Sequence, residues 1–397
     1  MTNIFQKLKM RNSKNANTKL ESAIIKDMAN KSSKLDPLLY GVTLALVAFG
    51  VLMVYSASHY NARVNFGNEF LFMYKQLVGA IFGIGAMFAL SFIDYRKLIK
   101  FRYIILLISI ILLVLVFVPG IGIENYGARR WINFPFFTLQ PSEIAKFAFI
   151  IFAAAYMAKN AKKMSKFKTI IPVLAVGVGI CVLIILQPNM SITMVTGMLM
   201  LAMLFIGGMK IKHFVMLAIP FMAVIPTLII IEPYRMNRLM AFLDPWQSPL
   251  GEGFQLIQSY YSLGSGGLFG LGLFNSRQKY LFLPFSESDF ILSIIGEEFG
   301  LFGCMLLFFG FIVLISRAIK IAQKAPDRFG TYLASGIAGI IAIQTLVNIA
   351  VVTGSIPPTG LPLPFISAGS SSLIVFLSSI GILQSISRNS HKSVQAI

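Results

Sequence analysis

Ten stretches of this chain are apolar and almost free of charge, lying at about 38–55, 77–93, 103–119, 141–158, 170–187, 190–207, 213–232, 290–315, 332–352 and 364–386. A helix needs roughly 20 apolar residues to cross a hydrocarbon layer, and each run approaches that length. Turn residues punctuate the runs, and the fifth and sixth are separated only by Gln187, Pro188 and Asn189. The pattern predicts an all-α membrane protein with about ten transmembrane helices. One connection stands apart, the long polar stretch 233–288 between the seventh and eighth runs, which mixes aromatics, turn residues and both signs of charge. In a chain that is otherwise nearly all apolar, chemistry is expected there and at the helix entrance behind it.

Composition supports the pattern: 56% of residues are hydrophobic and only 12% charged, about half the charged fraction of an ordinary soluble domain. Charge then orients the helices, because loops kept in the cytoplasm accumulate Lys and Arg. With the amino terminus inside, the inner segments hold 25 of the 34 Lys and Arg and the outer segments eight, with Lys146 inside a run. Both termini are therefore expected in the cytoplasm, with 233–288 outside. The net charge of +19 follows this rule rather than forming a nucleic-acid face. Residues 1–36 read as a disordered cytoplasmic tail, 37–388 as the membrane domain and 389–397 as a second short tail. Cys181 and Cys304 lie inside apolar runs and read as free thiols, and the three histidines are too scattered to form a metal cluster. The run Gly264-Ser265-Gly266-Gly267, with Gly270 and Gly272, lacks the Gly-Lys-Ser/Thr of a phosphate loop and reads as a tightly turning re-entrant segment.

Few polar residues interrupt the runs, so each needs an account. Asp289 opens the eighth run, where it reads either as a helix cap or, partly buried, as a general base. Glu297 and Glu298 follow on different faces of the same helix, and at least one must be buried in protein. Glu143 and Lys146 stand three apart on one helical face behind Pro141, which suits a first turn. They read either as a self-neutralising pair or as the lining of a cavity in which Lys146 meets an anionic substrate. Arg129, Arg130 and Trp131 form either a headgroup anchor or a diphosphate site. Ser367 and Ser370 to Ser372 follow a proline-kinked connection, lining a cavity or satisfying backbone in a broken helix.

Taken together, Gly127 to Ile132, Gln140 to Lys146, Phe242 to Trp246, Gly253 to Ser259, Ser276 to Pro284, Ser288 to Ile291 and Gly360 to Ser367 resemble, in order, the motifs of the SEDS family, the group of FtsW, RodA and SpoVE. The Ser276-Arg277-Gln278-Lys279 run leans toward the FtsW and SpoVE branch. The resemblance implies a peptidoglycan glycosyltransferase that polymerises lipid II on the outer face of the membrane, with Asp289 as the essential carboxylate. It implies cation and polar contacts to the substrate from Arg129, Arg130, Trp131, Glu143, Lys146, Arg277, Gln278, Lys279 and Ser367, with a divalent cation (Mg or Mn) as a further aid to the diphosphate. A class B penicillin-binding protein and other division or sporulation membrane proteins are the implied partners. Two rival readings are a flippase for the same lipid and a scaffold without activity.

Overall fold

The computed structural model describes residues 35–125, 128–133, 138–231 and 233–390. Most of both expected tails, and Gly127, lie outside the described residues. Ten apolar helices run through the chain: α1 (Pro37–Phe66), α2 (Leu71–Phe92), α3 (Lys97–Leu115), α4 (Pro141–Asn160), α5 (Phe167–Ile185), α6 (Met190–Ile206), α7 (Ile211–Ile231), α10 (Ile291–Gln323), α11 (Arg328–Val352) and α12 (Ser370–Ser390). Eight of the described helices are long and apolar enough to cross a membrane, and α6 and the Ile211–Val224 part of α7 are shorter apolar helices. The multi-span architecture with its long connection after the seventh apolar helix is as the hydropathy pattern predicts.

Two features go beyond that pattern. The 233–288 connection is largely folded, carrying α8 (Pro233–Leu243), a 3-10 turn (Pro245–Gln247) and α9 (Phe254–Gly266). Between α3 and α4 a small antiparallel sheet pairs β1 (Gly122–Asn125), β2 (Ala128–Asn133) and β3 (Thr138–Leu139). These strands are too short for an alternating pattern to betray them beside long apolar runs.

Local chemistry sets the helix boundaries. Asp36 caps α1 by accepting from the Leu39 amide at 3.1 Å, and Pro37 fills the first turn. The helix ends at Gly67, whose φ of 69° suits glycine. It continues past residue 55, where the buried Ser56 hydroxyl finds a partner in Glu298, donating to it at 2.6 Å. Asp327 caps α11 through the Gly330 amide at 2.8 Å.

The most deeply enclosed spans are α4, α11 and α12, while α3 keeps most of its surface outward. Close approach of backbones joins α2 to α12: an added Cβ at Gly79 would meet Ser370 Cα at 2.9 Å, and one at Gly381 would strike the Met87 carbonyl. Polar contacts mark the two ends of the bundle. At one end, Asp36 pairs with Arg317, Arg96 with Asp327 at 2.9 Å, and the Ser385 hydroxyl accepts from the Tyr95 amide at 3.1 Å. At the other end, the segments 279–290 and 360–372 meet the ends of α1, α4 and α11.

Helix α10 is broken at Gly300, whose φ of 66° and ψ of −166° are not helical. The break frees backbone groups that the segment after α9 satisfies. Leu271 and Gly272 amides donate to the Glu297 and Glu298 carbonyls, both at 2.9 Å, while Leu301 and Phe302 donate back to Gly267 and Leu268 at 3.0 and 3.1 Å. The glycines expected to turn tightly do so here, since a side chain at Gly266 or Gly270 would collide with the α10 backbone.

Candidate active site

Asp289 sits two residues before α10, on a stretch pinned to the 361–368 segment by backbone-directed hydrogen bonds. The Ser367 hydroxyl donates to the Ser288 carbonyl at 2.7 Å and accepts from the Leu363 amide at 2.7 Å, and the Ala368 amide donates to the Glu287 carbonyl at 2.9 Å. From α11, one amide nitrogen of Asn348 serves both segments, donating to the Asp289 carbonyl at 2.9 Å and to the Leu361 carbonyl at 2.7 Å. Gln344, one turn earlier, holds the Pro362 carbonyl at 3.0 Å. Both segments carry a non-glycine residue in the left-handed region, Phe285 at φ 54° and Phe365 at φ 66°, conformations that persist only where surrounding contacts over-determine them. Ser367 thus works on the backbone, the second of its two sequence readings.

Asp289 as a whole is half-buried, and the end of α10 at Phe290 has no side-chain cap, so the capping reading has no hydrogen bond behind it. Burial foremost, then the nearby Glu287 charge, pushes the Asp289 carboxyl from an ordinary 3.8 up to about 7, against the pull of Arg238, a Ser288 hydrogen bond and Arg130. Glu287 is itself pushed up, chiefly by burial. A Cβ at Gly360 would lie 3.0 Å from Asp289 Oδ2, so the glycine keeps one approach to the carboxylate clear. On the neighbouring side, Glu287 borders a cleft of about 690 Å³ also lined by Asn61, Asn65, Phe66, Phe72 and Lys279.

The remaining residues singled out in the sequence divide into two groups. Arg130 belongs with Asp289: its charge reaches the carboxylate while its guanidinium donates to the Gln187 carbonyl at 3.2 Å and to the Pro188 carbonyl, in the turn between α5 and α6. Its neighbour Arg129 is turned to solvent beside Glu124 at 3.1 Å, and Trp131 is half-buried in β2 opposite Ile123. Arg277 is exposed at its side chain, its amide bound by Glu297 at 2.9 Å.

The second group is enclosed. Lys146 and Glu143 have no exposed surface and pair at 2.8 Å, with Lys146 also donating to Gln344 Oε1 at 2.8 Å and Ser372 donating to Glu143 at 3.3 Å. The arrangement corresponds to the self-neutralising pair of the two sequence readings, with neither side chain exposed. Lys279 and Glu298 pair at 2.9 Å with no exposed side-chain surface. Glu297 accepts from the Ser276 hydroxyl at 2.5 Å and from the Arg277 and Gln278 amides at 2.9 and 3.3 Å, so it shapes the 276–279 turn. Both α10 glutamates are therefore buried against that turn, and Gln278 is partly buried beside them.

Sequence reasoning did not assign Arg238, Glu287, Gly360, Gln344 or Asn348 to the site. Gln344 and Asn348 stand four apart in an otherwise apolar helix, a polar stripe that carries the signal needed to find them. Among the described residues no group of three or more His, Cys, Asp or Glu converges on a metal position.

The FtsW, RodA and SpoVE pattern of cell cycle proteins matches residues 37–392. Stage V sporulation protein E of Bacillus subtilis is 41% identical over 364 residues, covering 91% of this chain and all of that protein. A probable peptidoglycan glycosyltransferase FtsW of Geobacter metallireducens is 42% identical over 350 residues, covering 87% of this chain and 92% of that one. Among solved structures, a chain from a study of how a peptidoglycan synthase complex coordinates polymerization and crosslinking superposes with a TM-score of 0.75 at 28% identity, over 90% of this chain and 98% of that one. The rod shape determining protein RodA of Thermus thermophilus superposes with a TM-score of 0.65 at 25% identity, over 90% and 97% of the two chains. The breadth of these matches agrees with the helix order and with the motifs gathered around Asp289, and the chain belongs to the FtsW, RodA and SpoVE family of cell cycle proteins.

Proposed function

We propose that this protein is a peptidoglycan glycosyltransferase that polymerises lipid II at the outer face of the bacterial plasma membrane, with Asp289 as general base. The observation that carries the reading is the placement of Asp289: a carboxyl pushed by burial up to about 7, within reach of the Arg130 and Arg238 charges, on a segment locked by Asn348 and Ser367. A sugar hydroxyl is a weak nucleophile at neutral pH, and a base whose pKa lies near the working pH removes its proton most effectively as the bond forms. The acceptor 4-hydroxyl attacks the anomeric carbon of the lipid-linked donor, the proton passes to Asp289, and the undecaprenyl diphosphate departs with inversion. Arg130 and Arg238 stand where guanidinium charge offsets the developing negative charge, with exposed Arg277 and Arg129 as further contacts. Lys146, Glu143 and Lys279 act in this scheme through the side chains they hold, Gln344, Ser372, Ser56 and Glu298, as positioning residues.

The distribution of Lys and Arg supports both termini on the cytoplasmic side, which puts the Asp289 end outside. A class B penicillin-binding protein transpeptidase is the expected partner, supported by the likeness to a structure from a peptidoglycan synthase complex. The test is polymerisation of purified lipid II by the protein, with and without that partner. Glycan strands from the native chain and none from Asp289→Asn support the reading. Movement of labelled lipid II across liposomes without glycan would replace it with a flippase.

A further inference from the structure

At the end of the bundle remote from Asp289, the start of α3 and the end of α4 enclose a cleft of about 530 Å³ that the reaction does not use. Ile99, Arg102, Tyr103, Tyr156, Lys159 and Asn160 line it. Arg102 is shaped for a ligand: one guanidinium nitrogen donates to the Ile99 carbonyl at 2.7 Å, and the group lies 4.4 Å from the Tyr103 ring centroid. Among the described residues, no carboxylate forms a salt bridge with Arg102 or Lys159. Nor does the surrounding sequence supply one. Residues 97–103 and 159–168 contain no Asp or Glu, whereas Lys97, Lys100, Lys162, Lys163, Lys166 and Lys168 add to the positive field.

We propose that this cleft binds the phosphate headgroup of an anionic phospholipid, with Arg102 and Lys159 as its two charge contacts. Two cations and two aromatic rings converge on one concavity, which suits a phosphate. A free phosphate fits the polar part alone. The α3 surface leading away from the cleft is apolar and exposed at Ile104, Leu107 and Ile108, which gives acyl chains a track that an inorganic ion does not need. Basic pockets between helices at the lysine-rich side of a membrane protein are suited to acidic lipids. The inference is independent of the glycosyltransferase reading, because none of these residues touches the Asp289 site.

The test uses the full chain, delipidated in detergent and titrated with micelles carrying phosphatidylglycerol or phosphatidylcholine, or with inorganic phosphate, reading bound lipid by native mass spectrometry and the melting temperature. Phosphatidylglycerol is expected to bind and stabilise the native chain, with phosphatidylcholine and inorganic phosphate doing neither. The Arg102→Gln/Lys159→Gln variant is expected to lose about tenfold or more in lipid affinity, as the removal of two cations near an anionic headgroup implies, while Lys162→Gln/Lys163→Gln, which weakens only the surrounding field, loses markedly less. Lys159→Gln alone serves if the double variant does not fold. Native affinity in the cleft variant, an equal loss in the outside control, or full competition by inorganic phosphate would each overturn the proposal.

Discussion

Glu143 and Asp289 are both acidic residues near the start of an apolar helix, yet their surroundings differ in kind. Glu143 has no exposed surface, and a lysine one turn away meets it at 2.8 Å with a serine and a glutamine completing the set. Asp289 stays half-exposed, with burial and a second carboxyl at Glu287 outweighing the two arginines that favour its charge. Complete neutralisation makes a charged group into structure, because neither partner can leave without stranding the other in a medium that does not solvate it. Incomplete neutralisation leaves a group able to exchange a proton near neutral pH. The same contrast separates Lys279 and Glu298, a sealed pair, from the partly accessible Arg130.

The comparison can be broken most directly at its reactive member. Asp289→Asn is expected to lower polymerisation by about 10²–10⁴-fold, the range for removing a general base, with no loss of thermal stability. Because the folded carboxyl holds its proton up to about pH 7 while the unfolded one releases it near 3.8, ionisation opposes folding, and stability falls as pH rises between those values. The neutral amide therefore matches or exceeds the native melting temperature at pH 8, and a collapse of the melting curve would instead make Asp289 structural. At the sealed member, Lys146→Met leaves Glu143 buried without its cation and is expected to destabilise the protein by about 3–5 kcal/mol. Adding Glu143→Gln is expected to restore much of this in the same thermal assay, and a neutral single variant would refute the structural assignment. Between these lies the pH profile of the native enzyme. Polymerisation is expected to fall about tenfold per pH unit below 7 as Asp289 takes up its proton, and a flat profile down to pH 5 would remove it as the base. Gly360→Ala places a methyl 3.0 Å from Oδ2, and a roughly tenfold drop in turnover is expected from so small a displacement at the reacting group. The smallest effect belongs to Arg129→Ala, whose solvent-facing ion pair contributes at most about 1 kcal/mol to stability. Polymerisation that falls as far in Arg129→Ala as in Arg130→Ala would erase the distinction drawn between the two neighbours.

Much of this was legible in the residues. Helix order follows from hydropathy because a spanning segment must be long and apolar, and Asp289 stands out because it borders such a segment after the one long polar connection. The glycines around 264–272 announce a tight turn for the same steric reason that they make one. Partner identity was not legible. Nothing in the spacing of Lys279 and Glu298 connects them, since they meet only after α10 and the preceding loop fold together. Arg129 and Arg130 are adjacent in sequence, but β2 sends one toward Glu124 and the other toward the Pro188 turn, and a strand six residues long hides beside spans of about twenty. Asn348 carries no charge and so gives a weaker signal in an apolar helix, although an amide with two carbonyl partners pins the site as firmly.

The interruption at Gly300 bears on how the chain enters the bilayer. Four backbone groups of α10 depend on residues 267–272, which are synthesised first and have no regular structure of their own. Inserted alone, either piece would present bare amides and carbonyls to hydrocarbon, each lacking a partner at a cost of several kcal/mol. The two therefore have to partition from the translocon as one hairpin, and lengthening the tether between them should slow maturation of the protein before it changes the finished structure.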